Sequence, residues 1–221
     1  TAVTNLVSNA GVVSTDVTGV GTVRYALAAC SYGANKDKGI FGFGYGSSDT
    51  AVTNLVSNVG VVATDTTGVG TARQGPAACE YGTDKGIFGY GYTASSVSMS
   101  NLVSNVGVVA TDVTGVGTAR SELAACGYGY DKGIFAFGQP DNDKTNLVSN
   151  VGVVATDVTG VGTARAAPAA CEYGGDKGII GYGHGSGYEG TTNLVSNAGV
   201  VAADVTGVGT SRNALAACSF N

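Results

Sequence analysis

The chain has 221 residues, a formal net charge of −5 and only 12% charged residues. Lacking any cluster of Lys or Arg, it offers no electrostatic footprint for nucleic acid or an anionic membrane surface, and no apolar run approaches the roughly 20 residues of a membrane-spanning helix. Its 37 glycines with only 3 prolines exclude a collagen-like chain, and its 43% hydrophobic content excludes a disordered one, because enough apolar surface exists to bury.

In chain order, the first element is "NLVSNAGVVSTD" (5–16), two short Val- and Leu-rich runs around an Asn/Gly-bearing break. Val, Ile, Phe, Tyr and Thr favour a pleated surface, and Asn and Gly tolerate the positive φ of a tight hairpin. "TGVG" (18–21) is too glycine-rich to extend any element, and it leads to Arg24. "ALAACSYG" (26–33) is a small, apolar strand. "DKGIFGFG" (37–44) alternates Gly with aliphatic and aromatic residues, and its Asp-Lys reads as the turn of a hairpin. A loop then leads into the next "TNLVSN", and the series begins again.

The repetition governs the fold. The stretch "NLVSNVGVVATDVTGVGTAR" occurs identically at 101–120 and 146–165, with close variants starting at Asn5, Asn54 and Asn193. Its closing arginine recurs as Arg24, Arg73, Arg120, Arg165 and Arg212, at intervals of 49, 47, 45 and 47 residues. The "DKGIFGYG" motif occurs only four times, starting at Asp37, Asp84, Asp131 and Asp176. No segment has a helical apolar period, so the chain reads as all-β. Four short strands per ~47 residues predict a five-bladed β-propeller. Its blades would span 26–65, 74–112, 121–157 and 166–204. A closing blade would join the N- and C-terminal segments, 4–16 with 214–220, and would lack its "DKGIFGYG" strand.

The order Arg, small apolar strand, "GIFGYG", polar spacer, "NLVSNVGVVATD" and "TGVGTAR" resembles the Kelch repeat over essentially the whole chain. Gly-Tyr-Gly or Gly-Phe-Gly stands in place of that family's Gly-Gly, and its fourth-strand Trp is absent. The resemblance implies a propeller that binds proteins. Some Kelch-like propellers carry copper oxidase sites, but this chain lacks the two-His, two-Tyr set such a site demands.

The chemistry legible in the sequence is sparse, and no catalytic or cofactor-binding set emerges. His184 is the single histidine and has no orienting partner in sequence. The five cysteines, Cys30, Cys79, Cys126, Cys171 and Cys218, have no C-x-x-C pairing for a metal and no even count for disulfides. They read as buried free thiols, which suits a reducing compartment. "QPDNDK" (139–144) is an isolated run of carboxylates and amides, too little for a metal site. The "TD" aspartates, Asp16 to Asp204, are expected to cap turns. The glycines of "GFGYG" are expected to admit a neighbouring backbone.

The five arginines have two readings, an anion-attracting ring or staples between blades, and the staple is favoured. Repeats differ after "GYG" and just after the arginine, at Tyr25, Gln74, Ser121, Ala166 and Asn213. In a propeller these two connections share one face. Tyr25, Gln74, Ser121, Asn213, His184 and the arginines are therefore the candidate ligand-binding residues, for a protein or carbohydrate partner. The alternative is a structural or assembly element that self-associates through the incomplete blade.

Overall fold

A computed structural model describes residues 2–140 and 142–219, and no helix forms among them. Twelve strands make four three-stranded antiparallel sheets. The first contains β1 (Ala28–Tyr32), β2 (Lys38–Gly42) and β3 (Thr53–Val56). The second contains β4 (Ala77–Tyr81), β5 (Lys85–Tyr92) and β6 (Ser96–Val103). The third contains β7 (Ala124–Tyr128), β8 (Lys132–Ala136) and β9 (Thr145–Val148). The fourth contains β10 (Ala169–Tyr173), β11 (Lys177–His184) and β12 (Tyr188–Val195). In each sheet the "GIF" or "GII" strand is the middle one, and the Asp-Lys pair lies at the hairpin before it.

The expected fourth strand is not a regular one. "GVVATD" meets the sheet at two isolated bridges, Val62 to Val56 and Thr66 to Thr53 in the first unit, with equivalents in the others. Three residue steps on one side face four on the other. The extra residue is a bulge that interrupts the ladder, and it brings Asp65 to the side-chain amide of Asn54, 2.9 Å away. The N-terminal hairpin has the same form, with Thr4 bridged to Val17 and Val7 to Val13. Residues 214–219 form no strand, and Phe220 of the expected closing segment lies outside the described residues.

Successive sheets lie side by side, β1 next to β4, β4 next to β7 and β7 next to β10. Backbone bonds tie them at one level. Gly75 N donates to the Ala26 carbonyl, Glu122 N to Gly75, Ala167 N to Glu122 and Ala214 N to Ala167, at 2.8–3.1 Å.

The glycines of each motif divide in two: Gly44, Gly91, Gly138 and Gly183 admit the backbone carbonyls of Tyr25, Gln74, Ser121 and Ala166, where a Cβ would stand 2.7–3.0 Å away, and the earlier ones admit side chains in the core between sheets. The Phe88 ring lies on Gly42, where a Cβ would stand 2.7 Å from its Cζ, and Phe135 lies on Gly89 at 2.6 Å. In the third sheet this glycine is Ala136, and the residue aligned with Phe88 and Phe135 is Ile180, in the same cluster. A methyl group gained on one sheet is matched by a ring lost on the next, which keeps the interior at normal density. The thiols obey the same rule. Cys30, Cys79 and Cys126 seat their sulfur over Gly86, Gly133 and Gly178 of the following sheet.

Candidate functional site

Each arginine sits where the chain enters a unit. Arg73 Nη2 donates to Asn101 Oδ1 (2.7 Å), Nε to the Tyr90 carbonyl (2.6 Å) and Nη1 to the Thr71 carbonyl (3.1 Å). Its guanidinium also lies 4.0 Å over the Phe43 ring of the preceding sheet. Asn101 Nδ2 donates to Asp112 Oδ1 (2.9 Å), and Asp112 Oδ2 accepts from Thr71 N (3.0 Å) and Thr71 Oγ1 (2.7 Å). The Arg–Asn–Asp–Thr set recurs at Arg24, Arg120 and Arg165.

Burial pushes Arg73 down to about 10, so it stays charged at neutral pH. Burial also raises Asp112, but the bonds from Thr71 and Asn101 and the charge of Arg73 outweigh it and hold the carboxyl below its ordinary range. Asp65, Asp112, Asp157 and Asp204 thus do accept backbone N–H groups, but from a threonine about 40 residues earlier rather than from a local turn.

These facts bear on the candidate arginines. Arg73, Arg120 and Arg165 are fully buried and Arg24 nearly so. Their hydrogen-bonding edges are turned into protein, and they present nothing to a dissolved anion. Only Arg212 is exposed, with its guanidinium 4.0 Å over the Tyr182 ring.

The post-arginine and post-"GYG" positions meet in pairs. Tyr25 bridges Tyr45, Gln74 bridges Tyr92, Ser121 bridges Gln139 and Ala166 bridges His184. Tyr25 and Tyr45 stack tilted at 5.5 Å, and the half-buried His184 meets Tyr188 edge-on at 5.8 Å. Tyr25, Tyr92 and Tyr188 are 62%, 40% and 65% exposed, which leaves aromatic surface to solvent. A groove of about 450 Å³ runs between Gln74, Tyr92, Ser121, Glu122, Gln139 and Pro140. Ser121 lines it while being largely buried. Asn213 is exposed, and its neighbour Ala214 bonds to Ala167.

A second cavity, of about 230 Å³, is lined by the Ala-Ala-Cys segments of all five repeats, including 217–219. Lys36 Nζ stands 2.6 Å from Glu80 and 3.8 Å from Glu172, and Ser31 Oγ donates to Glu80 at 2.6 Å. Burial, followed by the charge of Glu80 and a hydrogen bond to it, lifts Glu172 to about 7 against the opposing pull of Lys36. The Glu172 carboxylate occupies the space beside Gly127 that a side chain there would need. Burial first, then nearby carboxylates and thiols, pushes Cys30 up to about 12 and Cys79 and Cys126 well above the ordinary thiol range. These thiols are protonated and poor nucleophiles. All five are free: Cys79 and Cys126 are buried, Cys30 and Cys171 half-buried and Cys218 exposed.

The Glu80–Glu172–Lys36 group was not anticipated from sequence. Its signal was the residue after each cysteine (Ser31, Glu80, Gly127, Glu172, Ser219), which varies inside an otherwise constant strand. Among the described residues no three His, Cys, Asp or Glu side chains are placed to hold a metal. Among the described residues no helix is long and apolar enough to cross a membrane. No family model matches the chain, and no curated protein is significantly similar to it.

Proposed function

We propose that the chain is a non-enzymatic binding module, a five-bladed β-propeller whose fifth blade is shared between its two ends. The face carrying Tyr25, Gln74, Ser121, His184 and Asn213 takes the partner. The inter-sheet bonds that repeat from Ala26 to Ala214, and the cavity lined by all five Ala-Ala-Cys segments, support the ring.

One observation carries the binding reading. Residues at sheet interfaces hardly change from repeat to repeat, whereas the residues that differ are bridged pairwise beside exposed tyrosines. Tyrosine, amide and hydroxyl groups on a rigid support give adaptable polar contacts at low entropic cost. Such a surface suits a neutral polar partner, a carbohydrate or the polar surface of a protein.

The test is a screen of neutral oligosaccharides and of proteins, followed by calorimetry on any hit. Saturable binding should weaken at least tenfold in Tyr92→Ala or Gln74→Ala and stay unchanged in Val106→Ser, on an exposed hairpin. Equal binding by all three variants would sink the assignment of this face. A second reading, an assembly element, is favoured by the unclosed contact between the chain ends.

A further inference from the structure

The contacts that join one unit to the next are made four times, and both halves of a fifth set stand apart. Thr210 and Arg212 match the Thr-Arg pairs that elsewhere reach an Asn and an Asp. Asn5 and Asp16 are already joined to each other at 2.9 Å, as Asn101 and Asp112 are. Yet no hydrogen bond links residues 4–17 to residues 210–219. Gly70, Gly117 and Gly162 are each pressed against such an Asn–Asp pair, while a Cβ at Gly209 would touch only Arg212.

The faces on either side of this seam are bare. Gly199 rests against Tyr128 and Leu147 of the preceding sheet, but no described residue approaches Gly11 within 4 Å. Tyr173 and Leu194, which should cover Gly11, are 36% and 39% exposed, whereas Tyr128 is 3% exposed. Val7 is 57% exposed, whereas of its equivalents Val103, Val148 and Val195 are fully buried and Val56 is half-buried. Among the described residues no ring lies on Gly181, and no cysteine sulfur lies on Gly39. The half-buried Phe41 lines a cavity of about 170 Å³ with Ala2, Thr4 and Asn54.

We infer that this seam is a strand-acceptor site whose occupant is a peptide strand reading Lys-Gly-Ile-Phe-Gly-Tyr-Gly. The inference rests on the propeller reading above. The register follows from the other units. In β5, Ile87 faces Cys79 on one side and Leu102 on the other, so the guest isoleucine faces Cys218 and Leu6. The guest phenylalanine covers Gly181. The first guest glycine receives the Cys171 sulfur and the second receives the Phe41 ring. Main-chain pairing on both edges supplies the binding, and the four side-chain seats supply the specificity. With the strand in place, Arg212 reaches Asn5 and Thr210 reaches Asp16.

The probe is a synthetic peptide of residues 81–92, titrated against the full chain by calorimetry and native mass spectrometry, with small-angle scattering on the same sample. Uptake of one peptide per chain is expected. Affinity should fall more than tenfold for the Gly86→Val peptide, whose side chain meets Cys171, and several-fold for the Asp16→Ala chain. Equal binding of both peptides, or no uptake, overturns the slot. So does a dimer that forms through the seam and excludes the peptide, since a second copy is then the occupant. A compact scattering profile without uptake rejects the slot alone. An extended profile rejects the propeller reading beneath it.

Discussion

Replacing Glu172 with Gln removes a carboxyl that folding holds in an unfavourable place. Its side chain is 10% exposed, faces Glu80, and has Lys36 as its partial counter-charge at 3.8 Å, with the thiols of Cys126 and Cys171 nearby. Folding raises its pKa from 4.5 to about 7. The folded chain therefore binds a proton that the unfolded chain has released, and stability rises as pH falls from about 7 towards 4.5. Above about 7 both states are ionised, and the penalty is felt in full.

At about 1.4 kcal/mol per pKa unit the shift sets a ceiling of about 3 kcal/mol. Screening at the solvent-facing cavity reduces this to about 1–2 kcal/mol. For a chain of this length that is a gain of about 3–6 °C for Glu172→Gln at pH 8, small by pH 5 and gone only below the unfolded value of 4.5. Below about 4 both proteins lose stability together, because Asp65, Asp112, Asp157 and Asp204 have depressed pKa values and protonation breaks their bonds to threonine. Thermal unfolding by circular dichroism from pH 4 to 9 reads the difference. Parallel curves for wild type and variant between pH 5 and 8 would refute the reasoning.

Three further outcomes are expected. Gly89→Ala places a methyl 2.6 Å from the Phe135 ring and should cost about 1–3 kcal/mol; adding Phe135→Ile should restore much of it, since the chain already pairs Ala136 with Ile180, and urea unfolding of the four-protein cycle reads the coupling. Arg120→Ala strands the buried Asn146 and the Phe137 carbonyl and should cost about 3 kcal/mol or more, against less than about 1 kcal/mol for the exposed Arg212→Ala, in the same denaturant assay. Cys218 should react with iodoacetamide at pH 8 well before Cys79 and Cys126, which burial keeps protonated, and peptide mass mapping over a time course reports the order.

The sequence by itself determined the all-β class and the repeat boundaries, because both rest on local signals. Alternating "KGIFGYG" makes a strand wherever it occurs, and the Gly60 turn of "SNVG" closes its hairpin through Ser57 and Val61 alone. It also marked the arginines as constant and the residues following them as variable. What those residues touch was decided only in three dimensions. Thr22 finds Asp65 across 43 residues, and of the glycines kept for close approach only the later one in each motif receives a backbone carbonyl, the earlier ones receiving a phenylalanine or cysteine side chain from an adjacent sheet. The regular fourth strand failed to form because one extra residue in "GVVATD" breaks the ladder, a register effect invisible in propensity. Glu80 and Glu172 lie 92 residues apart in sequence and share one cavity. The raised pKa of Glu172 comes from burial and the nearby charge of Glu80, which exist only once separate sheets have been brought together.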